Sequence, residues 1–150
     1  MKFINLILLM CVCFLGACVS DGEEPRSLLD VGDPLPQFTL TLSDGQLLSA
    51  EELHTGSWII ILFNTDCPDC RRELPILEQE YLESIAEDSP LNFVCIAREE
   101  SAESIARFWQ SHDLTMPYSP QPDRRIYSLF AIAGIPRVYR SSDGIITRAD

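Results

Sequence analysis

Trp58 to Pro75 reads W-I-I-I-L-F-N-T-D-C-P-D-C-R-R-E-L-P, and this stretch joins two kinds of local structure. Trp58 to Phe63 is an unbroken apolar run rich in β-branched residues, which predicts a short strand buried on both faces. From Pro68 onward, apolar residues recur at helical spacing among charged residues, which predicts an amphipathic helix. Cys67 and Cys70 therefore lie where a buried strand leads into a helix.

The position of these two cysteines predicts redox chemistry. Pro68 falls at the first helical position, where its fixed φ is already helical and its missing N–H is no loss. The Cys67 sulfur then lies at the helix N-terminus, where unpaired N–H groups and the helix macrodipole favour a thiolate. Cys70 follows three residues later on the same helix face, close enough for a disulfide with Cys67. The pattern indicates a redox dithiol.

The other cysteines and histidines do not indicate a metal site. A zinc site would need a second Cys or Cys/His pair, and Cys18, Cys95, His54 and His112 are not at ligand spacing. Cys95 lies inside a second apolar run, residues 91–97, which predicts another strand. We therefore expect Cys95 to be a buried core residue and not a third redox thiol.

Several other segments carry recognisable strand and helix patterns. A hairpin is expected at residues 38–48, a helical turn capped by Ser49, a helix capped by Ser101 and a final hairpin at 137–148. A further helix is expected between Asp123, a candidate cap, and Gly134, which would stop it; this helix would carry Ile126, Tyr127, Leu129 and Phe130.

At the Cys67–Cys70 motif the chain resembles the thioredoxin superfamily, and more narrowly its membrane-anchored TlpA/ResA-like thiol-disulfide oxidoreductases. The resemblance rests on C-P-D-C-R-R-E-L-P, on Gly134-Ile135-Pro136 and on the hairpin pattern before Trp58, and it covers roughly residues 31–148. It implies a thioredoxin-like three-layer α/β fold, in which helices flank a central mixed β-sheet. An N-terminal β-hairpin extension and a central αβ insertion belong to the implied fold, whereas the C-terminal helix of the relatives is missing from this sequence.

The resemblance also implies roles for individual residues. Cys67 would attack a disulfide, Cys70 would resolve the mixed disulfide, and the Ile135-Pro136 loop, with a cis-proline, would bind the substrate chain. Glu73 matches a glutamate that the family places three residues after the second cysteine, and it would tune the thiols or relay protons. No cofactor or metal is implied, because the electrons would come from another thiol protein, including a membrane-bound one.

One departure from the family concerns Asp66, where most relatives carry Trp immediately before the first cysteine. Asp66 and Asp69 bracket Cys67, and nearby negative charge opposes thiolate formation, which favours a reductase. Two alternatives stay open. A peroxiredoxin-like thiol peroxidase would need Thr where the chain has Asn64. A lipid-anchored binding module with little redox activity would fit Asp66 and the missing final helix.

The charge balance argues against some partners. The sequence contains 23 Asp and Glu against 11 Lys and Arg, for a formal net charge of −12, and it has no basic patch. Nucleic acid and anionic membrane surfaces are therefore not expected as ligands. Protein disulfides or dithiols remain the expected partners.

The N-terminus predicts export and a lipid anchor. Lys2 followed by an apolar stretch predicts a signal peptide at residues 1–17, too short for a comfortable membrane span. Leu15-Gly16-Ala17-Cys18 resembles a bacterial lipoprotein processing box, in which Cys18 becomes the lipidated N-terminus; an ordinary signal peptide is the alternative. Residues 18–30 predict a solvated tether, and residues 31–150 the thioredoxin-like domain. We expect an extracytoplasmic protein, lipid-anchored to a bacterial membrane on the periplasmic side or the cell surface.

Overall fold

The computed structural model describes residues 25–150, so Cys18 and the predicted signal peptide lie outside the described residues. The strands in chain order are β1 (Arg26–Ser27), β2 (Leu40–Thr41), β3 (Leu47–Leu48), β4 (Ser57–Phe63), β5 (Leu91–Ala97), β6 (Tyr118–Ser119), β7 (Ala131–Ala133), β8 (Arg137–Ser142) and β9 (Ile145–Ala149). The helices are α1 (Ala50–Leu53), α2 (Pro68–Ala86) and α3 (Ala102–Ser111), and a 3-10 turn spans Tyr127–Leu129.

The apolar run that precedes the cysteines forms β4, the central strand of a five-stranded mixed sheet ordered β6-β5-β4-β8-β9. Strand β4 pairs in parallel with β5 and antiparallel with β8. Its side chains alternate between two apolar clusters, as a strand buried on both faces requires. Ile59, Ile61 and Phe63 face the cluster that contains α2 and α3. Ile60 and Leu62 face the cluster covered by the β2–β3 hairpin, α1 and the turn at 127–129.

Local capping signals set the helix starts where the sequence predicted them. Ser49 forms a capping box with Glu52 at α1, and the Ser101 side chain accepts the backbone N–H of Ser104 at α3. Each bond satisfies an N–H that the first helical turn leaves unpaired. Within residues 25–150, no helix is both long and apolar enough to cross a bilayer.

The prediction of a helix that runs from Asp123 to Gly134 is wrong. The structure has only the short 3-10 turn there, and β7 follows it almost directly. Tyr127 and Phe130 are nonetheless buried, so their spacing reflects burial in a tight turn. Asp123 accepts the backbone N–H of Arg125 in this loop and does not cap an α-helix.

The structure attaches residues 25–30, the last part of the predicted tether, to the domain. Arg26 and Ser27 pair antiparallel with β7, and the Leu28 N–H donates to the Phe130 carbonyl at 2.8 Å. The Ser27 hydroxyl lies 2.8 Å from the Tyr139 hydroxyl. These contacts bring the chain that leads to Cys18 beside the loop after β7.

Candidate active site

The start of α2 presents the two cysteines in different environments. Cys67 is the N-cap residue, with extended backbone angles (φ −75°, ψ 121°), and Pro68 occupies the first helical turn. Cys67 is half-buried, whereas Cys70 lies one turn further along and is 0 % exposed. Both are free thiols, so the structure describes the reduced dithiol. Only Cys67 is open to a protein partner.

The environment of Cys70 keeps it protonated. Burial raises the pKa of the Cys70 thiol far above its ordinary value, and the neighbouring Cys67 raises it further. A backbone hydrogen bond with Asn64 and the positive charge of Arg98 act in the opposite direction, with a smaller effect. A thiol of this kind is a poor nucleophile until a base or a rearrangement removes its proton.

The loop that connects β7 to β8 lies against Cys67. The Ile135-Pro136 peptide bond is cis, and the Cys67 thiol donates to the Ile135 carbonyl at 3.5 Å. The Tyr127 hydroxyl donates to the Gly134 carbonyl at 2.9 Å, which also holds this loop in place. The structure thus brings Ile135 and Pro136 to the dithiol. Their part in substrate binding stays a prediction.

Gly134 allows the N-terminal strand to approach this loop. Its φ of +90° is unfavourable for residues with a side chain, and a Cβ there would stand 2.8 Å from the Pro25 Cα. Pro25 therefore packs directly on the residue that precedes Ile135.

The loop between β4 and α2 is held by a buried carboxylate that the sequence analysis missed. Glu100, only 7 % exposed, follows β5 and accepts the Thr65 N–H at 2.7 Å. It also accepts the Thr65 hydroxyl, and the Ser104 hydroxyl at 2.7 Å. Neighbouring parallel strands end at the same edge of a sheet, so residues that closely follow β4 and β5 lie near each other. The polar residues Thr65 and Glu100, shortly after the ends of these strands, could therefore have indicated this contact. We call this contact between Thr65 and Glu100 the loop clamp.

Glu73 lies on α2 and is half-buried. It lines a groove of about 320 Å³ between α2 and strands β8 and β9, together with Glu80, Arg140 and Arg148. The Arg140 guanidinium donates to both carboxylate oxygens of Glu80, at 2.7 and 2.9 Å, and this contact raises the pKa of Arg140. The groove contains both charges and apolar surface. The proton-relay role of Glu73 stays a prediction.

The two aspartates that bracket Cys67 each have an arginine partner. Asp66, whose side chain is 91 % exposed, lies 3.8 Å from Arg71, and Asp69 contacts Arg72 one helical turn away. Pairs this exposed contribute little free energy. They nevertheless offset part of the negative charge that the sequence places beside Cys67.

Within residues 25–150, the other potential metal ligands do not form a cluster. Cys95 is 0 % exposed in the core, with its thiol 3.9 Å from the Met116 sulfur, which confirms it as a packing residue. Among residues 25–150, no three His, Cys, Asp or Glu side chains gather as metal ligands would.

Residues 31–148 match the AhpC/TSA family, which is most of the chain. The chain belongs to the AhpC/TSA family. The chain is also similar to the thiol-disulfide oxidoreductase ResA of Oceanobacillus iheyensis, with 24 % identity over 139 residues. That alignment covers 90 % of this chain and 71 % of the relative.

Solved structures agree with the thioredoxin-like α/β fold. The solution structure of a proposed protein disulfide isomerase from Bacteroides thetaiotaomicron has a TM-score of 0.78 and 25 % identity, covering 85 % of this chain and 82 % of that one. A secreted Mycobacterium tuberculosis disulfide oxidoreductase, homologous to E. coli DsbE, has a TM-score of 0.65 and 22 % identity, covering 74 % and 81 %. The fold prediction is confirmed.

The relatives named thiol-disulfide oxidoreductases favour disulfide exchange over a thiol peroxidase. The peroxidase alternative would need Thr at position 64, and the structure uses Asn64 to shape the loop instead. Its side-chain oxygen accepts the Asp66 N–H at 2.8 Å, and its side-chain nitrogen donates to the Arg98 carbonyl at 2.9 Å.

Proposed function

We infer that the chain is a thiol-disulfide oxidoreductase that exchanges the Cys67–Cys70 dithiol with the disulfides or dithiols of other proteins. One observation carries this inference. A half-exposed thiol caps a helix beside the cis-proline loop, while its partner thiol is buried one turn further along. The names of the relatives point to the same chemistry.

In the reductive direction, the Cys67 thiolate attacks one sulfur of a substrate disulfide. The S–S bond breaks, the departing sulfur takes up a proton, and Cys67 is left in a mixed disulfide. The Cys70 sulfur then loses its proton and attacks Cys67, which releases the second substrate thiol. The substrate disulfide has gained two electrons and two protons, and Cys67–Cys70 has become a disulfide. The oxidative direction is the reverse.

The burial of Cys70 decides the order of these steps. Because its pKa is raised, Cys70 stays a thiol while Cys67 attacks. In the second step its proton needs an acceptor, and we assign that role to Glu73, three residues further along α2. The Ile135-Pro136 loop would bind the substrate backbone beside Cys67.

We further propose that Cys18 carries a lipid and that the domain is extracytoplasmic. The signal-like residues 1–17 and the Leu15–Cys18 box support this placement. An oxidising compartment requires a thiol protein that returns electrons to the dithiol, and a membrane-bound donor fits a lipid-anchored enzyme.

A labelling experiment tests the assignment of the thiols. In the reduced protein, iodoacetamide should modify Cys67 much faster than Cys70, as measured by peptide mass spectrometry. A Cys70→Ser variant should accumulate mixed disulfides with a disulfide-containing peptide, and Cys67→Ser should accumulate none. Faster labelling of Cys70, or equal trapping by both variants, would contradict the assignment.

Two further measurements test the rest of the proposal. The protein should reduce insulin disulfides in the presence of dithiothreitol, and its consumption of hydrogen peroxide should be slow; the opposite pattern would favour a peroxidase. Cys18→Ser should release the protein from the membrane fraction or leave an unprocessed precursor. If that variant is processed and fractionates like the parent, the anchor lies elsewhere.

A further inference from the structure

Arg98 directly follows β5, at the end of the sheet that carries the dithiol, and its charge has no partner among residues 25–150. The side chain is half-buried, and its buried Nε atom makes no hydrogen bond within these residues. Other arginines in this part of the chain do have a carboxylate within 4.0 Å: Arg71, Arg72, Arg107, Arg124, Arg125, Arg140 and Arg148. A partly desolvated charge costs free energy. Its lack of an acidic partner, in a chain with 23 Asp and Glu, points to a different anion.

The backbone of Arg98 is joined to the loop that contacts Cys70. The Arg98 N–H donates to the Phe63 carbonyl at 2.8 Å, and the Arg98 carbonyl accepts the side-chain nitrogen of Asn64 at 2.9 Å. The backbone of Asn64 in turn forms a hydrogen bond with Cys70. Asn64 therefore contacts both Arg98 and the buried thiol, because the parallel strands β4 and β5 end at the same edge of the sheet.

An aromatic ring holds the Arg98 guanidinium, which lies 5.1 Å from the centre of the Tyr127 ring. A ring attracts a cation through its quadrupole but carries no net charge, so this contact does not cancel the field of Arg98. Arg124 stacks on the same ring at 5.2 Å, and it also lies 3.8 Å from Glu99. The two arginines thus share a ring, but only Arg124 has an acidic partner that offsets its charge.

The resolving step creates an anion beside Arg98. Cys70 has to become a thiolate to attack Cys67, and burial is the largest effect that opposes this ionisation. Among the charged side chains, Arg98 is the one that lowers the pKa of Cys70. Once Cys67 is bound in a mixed disulfide it has neither a charge nor a thiol proton, so its effect of raising the Cys70 pKa ends. The Asn64 hydrogen bond and the Arg98 charge then remain to oppose burial.

The other charged groups around the dithiol do not replace this positive charge. They are Asp66, Asp69, Arg71, Arg72 and Glu73 on or before α2, Glu99 and Glu100 after β5, and Arg137 at the start of β8. The two arginines of α2 are exposed and lie beside the two aspartates. Strand β8, which Arg137 begins, lies on the other side of β4 from β5. Arg98 is therefore the unpaired positive charge on the β5 side of the dithiol.

We propose that Arg98 stabilises the Cys70 thiolate during the resolving step and is a positioning residue for the second half of disulfide exchange. The inference rests on the proposed exchange reaction. In this step Cys70 gives its proton to an acceptor, and its sulfur attacks the Cys67 sulfur. The bond between Cys67 and the substrate breaks, and the substrate sulfur leaves with the electron pair and takes up a proton. Arg98 faces a negative charge only while Cys70 is ionised, so it acts on the rate of this step.

The size of the effect follows from the charge. A unit charge that acts over ~10 Å at an effective dielectric constant of ~20 changes an ionisation equilibrium by ~15-fold. A more basic thiolate is also a better nucleophile, which returns ~3-fold of the rate. Arg98→Gln should therefore slow the resolving step about fivefold at about pH 7.

Dithiobis(nitrobenzoate), an aromatic disulfide, separates the two steps in the full reduced protein. Attack by Cys67 releases one coloured thiolate, and attack by Cys70 on the mixed disulfide releases the other, so stopped-flow absorbance with one equivalent of reagent gives both rates. Arg98→Gln should slow the second phase about fivefold and keep the first phase within ~2-fold of the parent. Arg98→Lys keeps the charge and should recover most of the lost rate.

Two controls separate the charge from a structural effect. Arg124→Gln removes a guanidinium from the same Tyr127 ring, and it should leave both phases within ~2-fold of the parent because Glu99 already offsets that charge. The redox equilibrium of Arg98→Gln with glutathione should also stay within ~2-fold of the parent, because Cys70 is protonated in the reduced protein and uncharged in the disulfide. Arg98→Met keeps the contact with Tyr127 and replaces Arg98→Gln if that variant does not fold.

A second phase of Arg98→Gln within ~2-fold of the parent would overturn the inference. Equal slowing of both phases, a redox equilibrium that shifts as far as the rate, or an Arg98→Lys variant as slow as Arg98→Gln would also overturn it. A parent protein that releases only one coloured thiolate would instead overturn the proposed dithiol exchange.

Discussion

Replacing Glu100 by alanine should destabilise the loop that carries Cys67. The Glu100 carboxylate accepts the N–H and the hydroxyl of Thr65, and both partners are buried, at 7 % and 3 % exposure. It also accepts the Ser104 hydroxyl at 2.7 Å. Alanine offers no acceptor, so the Thr65 donors would be left without a partner in a place that water does not easily reach.

The expected loss follows from these bonds. A hydrogen bond to a charged group contributes about 1.5–3 kcal/mol, and a buried donor without a partner costs a similar amount. Two such donors on Thr65 give an expected loss of about 3–5 kcal/mol for Glu100→Ala. That is a large part of the ~5–15 kcal/mol that stabilises a typical domain. Glu100→Gln keeps one acceptor oxygen and should cost only ~1 kcal/mol.

Urea denaturation of the reduced protein measures both losses, and Ser104→Ala is the matched control because it leaves Thr65 bound. Glu100→Gln should also slow peptide-disulfide reduction by roughly fivefold, the equivalent of ~1 kcal/mol in activation free energy. Slowing would show that the loop clamp positions Cys67 as well as stabilising the fold. If Glu100→Ala unfolds within ~0.5 kcal/mol of the parent, the reasoning is wrong.

Three other changes have defined outcomes. Glu73→Gln should slow exchange and flatten its pH dependence between about pH 5 and pH 9, with exposed Glu83→Gln as control; an unchanged profile would make Glu73 only a surface charge. Cys95→Ala should keep the exchange rate within ~2-fold of the parent, and a large loss would show a working thiol. The unfolding free energy of the reduced protein should fall as pH rises above about 9. Burial raises the pKa of Cys70 and Cys95 above the ordinary 9.0, so above that pH the unfolded state releases protons that the native state keeps. Denaturation at about pH 8 and pH 10 measures this slope, which a Cys70→Ala Cys95→Ala variant should reduce; the raised pKa of Tyr81 contributes a smaller loss of the same sign that the variant keeps, and an equal slope would contradict the assignment.

Several features could be predicted because they depend on neighbouring residues. The apolar run ending at Phe63 forms β4, and Pro68 begins α2. Ser49 and Ser101 cap their helices because a side-chain oxygen reaches an N–H only three residues away. The turn at 127–129 was not predicted, since apolar residues spaced for a helix are equally buried in a tight turn.

The sequence by itself determined where the dithiol lies, at the junction of a buried strand and a helix, because burial pattern and proline position act locally. Only the tertiary structure decided what surrounds it. Glu100 reaches Thr65 across 35 residues because parallel pairing of β4 and β5 brings their ends together. Pro25 reaches Gly134 because β1 pairs with β7. Such contacts depend on the packing of distant segments, which no local pattern records. They hold the loop before Cys67 and bring residues 25–27 against the turn that leads to Ile135-Pro136.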